Sequence, residues 1–248
     1  MKILCLLILL SVLAGQQKPV AITRGDTAQK KLSIVFTGDE YADGGEFILD
    51  ILNKKKVKGS FFLTGNFYRN PQFRDLIASL KQHGHYLGSH SDKHLLYCDW
   101  TRRDSLLVTK HEFLTDLINS YNELAKWQIT KKEAYYFLPP YEWYNDSIVA
   151  WTHDQNLQLI NFTPGTRSTA DYTYPEMNER YVNSNDVYKS IIAHEGESPN
   201  GLNGFILLVH IGTDPRRTDK FYYKLPRLID VLRKKGYTFV RVDELLSK

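Results

Sequence analysis

Strand-like apolar runs alternate with helical patterns along almost the whole chain, and this alternation limits the possible folds more than any other feature. KLSIVFT (31–37), GSFFLTG (59–65), HYLGS (85–89), AYYFL (134–138), LQLINF (157–162), GFILLVHI (204–211) and the closing YTFVRVDELL (237–246) have the composition of short buried strands. Between them, GGEFILDILNKKKV (44–57) has the helical period, and NPQFRDLIASLKQHG (70–84) opens on Asn-Pro and stops at glycine. Further helices are predicted over 103–127, 144–155, 186–197 and 219–236, and residues 163–185 form a long loop. Strict β-α alternation implies a parallel sheet with helices outside, as a barrel or an open sheet. GSHSDKH and TGDEYADGG lack the G-x-G-x-x-G spacing of a phosphate turn, which argues against a nucleotide fold.

The 248 residues are enough for one well-cored domain, and no linker or composition break divides them. The net charge of +4 is mild, and the basic runs NKKKVK and LRKKG fall at predicted helix ends, so no nucleic-acid footprint is expected. MKILCLLILLSVLAG has the layout of a secretory signal peptide cut near Ala14 or Gly15, and its apolar run is short for a membrane span. The expectation is an exported protein, periplasmic or extracellular, without stable membrane insertion after cleavage; a retained N-terminal anchor is the alternative. The expected organisation is a leader at 1–15, a polar lead at 16–30 and a catalytic domain at 31–248. Removal of the leader leaves Cys98 as a lone cysteine, so no internal disulfide is expected.

Polar residues cluster just after the apolar runs. Asp39-Glu40 follows the first, His90-Ser91-x-x-His94 the third, Pro139-Pro140-Tyr141 the fourth, a loop with Arg167 and Asp171 the fifth, and His210 ends the sixth. In a β/α barrel the C-terminal strand ends share one rim, where catalytic groups meet. Two histidines and a carboxylate suit an open metal site, and a further carboxylate and histidine would supply a base and an acid. Each piece has a plainer alternative. The His90/His94 spacing occurs on surface turns, Asp39-Glu40 can cap the helix near Gly44, and His210 can be a core histidine. The tyrosines and tryptophans at 97, 100, 141 and 143 can be packing residues. Convergence on one rim favours the catalytic alternative for the set.

In these residues the chain resembles the polysaccharide deacetylases, metal-dependent carbohydrate esterases that act on chitin, peptidoglycan and xylan. The likeness runs from about residue 31 to 246. Thr37-Gly38-Asp39-Glu40 is similar to the family's Thr-Phe-Asp-Asp motif. His90, Ser91 and His94 meet its His-Ser/Thr-x-x-His. Pro139-Pro140-Tyr141 matches the core of its third motif, and Leu208-Val209-His210 its Leu-x-His. The resemblance implies a distorted (β/α) barrel of about seven parallel strands with the site at their C-terminal ends. It also implies roles. Asp39 would be the base and His210 the acid, with a divalent metal on Glu40, His90 and His94. The Tyr141 backbone N–H would stabilise the oxyanion, and Trp143, Arg167 and Asp171 would face the substrate. Zinc is the favoured ion, with cobalt or nickel as alternatives.

Four departures stand out. Glu40 replaces an aspartate, Gly38 an aromatic residue and Leu138 an arginine, for which Arg167 is one candidate substitute, the alternative being that its loop is a substrate-facing wall; Asp171-Tyr172 replaces the fourth motif's Asp-Trp. The implied activity is removal of acetyl groups, N-acetyl favoured, from an acetylated oligo- or polysaccharide by a metal-activated water. The alternatives are an O-acetyl esterase of xylan type and a non-catalytic carbohydrate-binding protein that retains the metal. A barrel glycosidase would leave the histidines unexplained.

Overall fold

The computed structural model describes residues 18–247, so the expected signal peptide lies outside the described residues. The elements in chain order are β1 (Lys31–Gly38), α1 (Gly45–Lys54), β2 (Ser60–Leu63), α2 (Gly65–Arg69), α3 (Arg74–Gln82), β3 (Tyr86–Ser89), α4 (Lys110–Lys126) and β4 (Tyr136–Phe137). Then come α5 (Asp146–Asp154), β5 (Gln158–Leu159), α6 (Ser184–Glu197), β6 (Phe205–His210), α7 (Leu225–Lys234), β7 (Thr238–Phe239) and α8 (Val242–Leu245). The strands form one parallel sheet in the order β5-β4-β3-β2-β1-β6, with β7 pairing at the start of β1.

The two outer strands do not remain open edges. Beyond β5, the Thr163 N–H donates to the Ile206 carbonyl of β6 at 3.0 Å. The polar lead fills the rest of the gap: Ile22 bridges Ile160, and Arg24 bridges Phe205. Exposed strand edges invite association, and residues 22–25 cover them here. The result is the expected distorted barrel, with part of the lead built into its wall.

Strand periodicity sorts the core into two layers. Along β1, Ile34 and Phe36 face the helices, where they join Leu49, Leu52, Leu228 and Leu232. Val35 faces inward and meets Phe62, Tyr86, Leu138, Ile160 and Leu208, which fill the barrel. Each such fully buried side chain contributes about 1.5–3 kcal/mol of transfer free energy. α7 places Pro226 in its first turn, where the missing N–H leaves no bond unmade.

Several boundaries differ from expectation for local reasons. The helix expected from residue 103 starts only at Lys110, because Thr109 and Glu112 form a reciprocal capping box there. The last strand ends at Phe239, and the chain turns into α8. The loop 163–185 contains two 3-10 segments, Ser168–Tyr172 and Pro175–Arg180. α2 has no counterpart in the expectation; the Thr64 side chain caps it by accepting from the Phe67 N–H.

Register places the functional positions at one height. Thr37 pairs with His210, Gly38 with Leu63, Leu63 with Ser89 and Ser89 with Phe137. The residues that follow each strand, Asp39, Thr64, His90 and Leu138, therefore leave the sheet beside His210.

Candidate active site

A cavity of about 1170 Å³ opens at this rim. Asp39, Glu40, His90, His94, Tyr141, Trp143 and His210 all line it. Arg167 does not. Its side chain is exposed at the start of the Ser168–Tyr172 segment, and its N–H is tied to Ser190 Oγ of α6 at 2.9 Å, outside the cavity. Arg167 therefore does not stand in for the missing arginine. Leu138 is fully buried inside the barrel, so a guanidinium at that position would enter an apolar layer.

The histidine pair is built by an unusual loop. Ser91 and His94 both adopt positive φ, 75° and 55°. The turn is closed by the His94 N–H donating to Ser91 Oγ at 2.9 Å. Beneath it, buried Asp116 of α4 accepts from the Lys93 N–H at 2.9 Å and from the Tyr97 hydroxyl at 2.6 Å. Buried Asp92 accepts from Arg69 of α2. These charge-assisted bonds fix the loop from both sides.

The rings themselves are oriented for a cation. His90 Nδ1 lies 2.9 Å from the Leu138 carbonyl, which can only accept, so Nδ1 carries the proton and Nε2 presents a lone pair. His94 Nε2 lies 3.3 Å from His90 Nε2. Two nitrogens bound tetrahedrally at ~2.0–2.1 Å would be about 3.3–3.4 Å apart. Burial, reinforced for His90 by the adjacent ring, holds both histidines below the ordinary imidazole pKa, so both rings are neutral ligand types. The pair thus fits a divalent ion. Among the described residues, however, no three His, Cys, Asp or Glu side chains are already gathered around one point.

Asp39 is half-buried beside the pair. Its Oδ1 accepts from the Thr64 hydroxyl at 2.7 Å and from Asn66 Nδ2 at 3.4 Å. Both donors to Asp39 are neutral. Glu40 lines the cavity but is exposed. The replacement of an aromatic residue by Gly38 has a packing reason: a Cβ there would lie 2.6 Å from Ile211 Cγ2 and 3.0 Å from Leu63.

Across the cavity, His210 Nδ1 bonds Asp171 Oδ1 at 2.6 Å, and the His210 N–H donates to Asp171 Oδ2 at 2.8 Å. Asp171, expected to face substrate, instead orients this imidazole. Burial lowers the His210 pKa, but the charges of Asp171 and Glu142 outweigh it, and the net direction is upward. Tyr172 packs its ring 5.2 Å from His210. Arg217, wholly buried, donates to the Thr173 and Val182 carbonyls and to Ser184 Oγ, and so pins the segment that carries Asp171.

The base side and the acid side are joined by a close backbone crossing. A Cβ on Gly212 would lie 2.4–2.5 Å from the Tyr41 and Ala42 backbone. Backbone cannot rotate away, so Gly212→Ala must part the Asp39 loop from the end of β6. Overpacking of this kind costs about 1–3 kcal/mol. Denaturant unfolding of Gly212→Ala should show that loss, together with reduced turnover; an unchanged midpoint would refute the constraint.

Sequence reasoning overlooked Thr64, Arg217 and Glu142. Thr64 carried a helix-cap signature that could have revealed it. Arg217 looked like one more surface cation. Glu142 directly follows the Pro-Pro-Tyr core, but as a polar residue in a turn it gave no sign of burial. Its side chain is only 14 % exposed, with Oε1 4.0 Å from His90 Nε2. Burial raises its carboxyl to about 7, with Asp171 raising and His210 lowering it.

An aromatic wall completes the cavity. The Trp100 ring lies 5.5 Å from Tyr141 and 5.6 Å from Trp143, and the Arg103 guanidinium sits 4.1 Å over Trp143. Aromatic faces of this kind suit stacking on sugar rings. No helix among the described residues is long and apolar enough to cross a membrane.

The sequence profile of polysaccharide deacetylase matches residues 24–160. A peptidoglycan-N-acetylglucosamine deacetylase of Bacillus cereus is 26% identical over 200 residues, 80% of each chain. The peptidoglycan-N-acetylmuramic acid deacetylase PdaA of Bacillus subtilis is 24% identical over 239 residues, 93% of this chain and 76% of its own. Among solved structures, the Bc1960 peptidoglycan N-acetylglucosamine deacetylase superposes with a TM-score of 0.71 at 18% identity, covering 92% of this chain and 94% of that one. BA3943 of Bacillus anthracis, a CE4 family pseudoenzyme, gives 0.70 at 18% identity, covering 93% of this chain and 70% of that one.

Proposed function

Because the chain belongs to the polysaccharide deacetylase family and is a deacetylase hydrolase, we propose that it is exported and removes N-acetyl groups from a glycan of peptidoglycan or chitin type with the help of a divalent metal. The observation that carries this is the meeting of two pairs across one cavity: His90 with His94 at 3.3 Å, and His210 with Asp171 at 2.6 Å. The names of the two bacterial relatives favour an N-acetyl over an O-acetyl substrate.

His90 and His94 would hold the ion, with zinc favoured. When bound, it supplies Lewis acidity toward the acetyl carbonyl and the attacking water. Asp39, fixed by the Thr64 hydroxyl, takes a proton from the water as its oxygen bonds to the acetyl carbon. The Tyr141 backbone, held at φ 58°, offers its N–H to the developing oxyanion. His210, kept protonated by Asp171, gives its proton to the sugar nitrogen as the C–N bond breaks. The products are acetate and a free amine. Trp100, Tyr141 and Trp143 stack on the sugar and keep the acetyl group near Asp39 and His210.

The test is acetate release from peptidoglycan, chitooligosaccharides and acetylxylan, after chelation and again after addition of zinc, cobalt or nickel. The expected result is release from N-acetylated glycans that chelation abolishes and metal restores, with metal content lost in His90→Ala and His94→Ala. Release from acetylxylan alone would replace the reading by an O-acetyl esterase. Glycan binding without any release would replace it by a carbohydrate-binding protein.

A further inference from the structure

We propose that Glu142, not Glu40, is the carboxylate that completes the metal site with His90 and His94. The inference rests on the metal-dependent reading above and names a ligand that the family's motifs do not supply. Three observations carry it. Glu142 is the one carboxylate among the described residues within 4.0 Å of either histidine, with Oε1 4.0 Å from His90 Nε2, whereas Glu40 is exposed and makes no such contact. Tetrahedral ligands on one ion lie about 3.3 Å apart, so Oε1 stands less than about 1 Å beyond ligand spacing from His90 Nε2. Second, among the described residues no hydrogen-bond donor reaches the Glu142 carboxylate, although the side chain is only 14 % exposed. A buried carboxylate without a donor is costly unless a cation faces it.

Third, the backbone pays for placing a side chain here. Tyr141 and Glu142 sit in succession at φ 58° and φ 54°. A left-handed backbone is strained for a non-glycine residue, and glycine would relieve it at both positions. The turn is locked by the Glu142 N–H donating to the Pro139 carbonyl at 3.1 Å and by Asn161 Nδ2 donating to the Glu142 carbonyl at 2.7 Å. The strained turn carries the carboxylate to within 4.0 Å of His90 Nε2. Asp39 keeps its own donors, Thr64 and Asn66, and stays free to act as the base.

The experiment titrates cobalt(II) and zinc(II) into the metal-free protein by calorimetry and visible absorption, comparing wild type with Glu142→Gln, Glu142→Asp and Glu40→Gln. Glu142→Gln should weaken binding at least about tenfold and alter the cobalt spectrum. Glu40→Gln should change affinity by less than about threefold, and Glu142→Asp should fall between wild type and Glu142→Gln. The rise in unfolding temperature on adding zinc should shrink in parallel for Glu142→Gln. Loss of affinity in Glu40→Gln with Glu142→Gln unchanged would overturn the assignment, and so would no change in either. Wild type that binds metal but releases no acetate leaves the assignment standing and refutes only the deacetylase reading. Wild type that binds no metal refutes both.

Discussion

Asp39→Asn is expected to lower acetate release by about 10²–10⁴-fold while metal content stays at the wild-type level. The amide has the same size and can still accept the Thr64 hydroxyl bond of 2.7 Å, so the loop should hold its shape. What it cannot do is take the proton of the attacking water. Metal analysis and acetate release on the same preparation check both halves. Loss of metal from Asp39→Asn would mean that Asp39 is a ligand, and the assignment of the base would fall.

The second large effect is expected at Asp171→Asn, which should cut turnover at neutral pH by about 10²-fold or more and move the basic limb of the pH–rate profile to lower pH. The sign follows from the surroundings of His210. Burial alone lowers its pKa, and the Asp171 carboxylate is the main group that reverses this. With Asp171 present, the imidazole stays protonated above its ordinary value of about 6.5. With an amide there, burial prevails and the acid is lost at lower pH. The same linkage reaches stability. A raised folded pKa contributes stability that is complete below the unfolded value and is lost as pH rises through the folded value. Unfolding of Asp171→Asn should therefore depend less on pH across that window. An activated aryl acetate needs little protonation of its leaving group, so its hydrolysis should fall less than that of an N-acetylated sugar. Equal losses on both substrates, with an unmoved basic limb, would make Asp171 a structural residue.

Much of the architecture was legible because it rests on local patterns. The apolar runs and helical periods predicted β1 to β6 and most helices, since burial on one or both faces writes a period into the residues themselves. The rim was legible too, because in a parallel barrel each strand end adjoins the next loop. The misplaced boundaries came from competing local chemistry. The capping box of Thr109 and Glu112 began α4 late, and the lead at 22–25 has no period that marks it as barrel wall.

The sequence by itself determined which residue types stand at the rim: Asp39, the pair His90 and His94, Tyr141 and His210. It did so because each lies at the end of a buried run whose length and period are encoded nearby. Tertiary structure alone decided who partners whom. Asp171 meets His210 across 39 positions, Thr64 meets Asp39 across 25, and the Arg167 backbone N–H bonds Ser190 of α6. Glu142 approaches His90 from 52 residues further along the chain, 142 against 90. These pairings depend on strand register, a left-handed turn and the close crossing at Gly212, which put distant side chains within ångströms of one another. Such contacts leave no period in the sequence, because the free energy that selects them comes from the folded arrangement and not from neighbours along the chain.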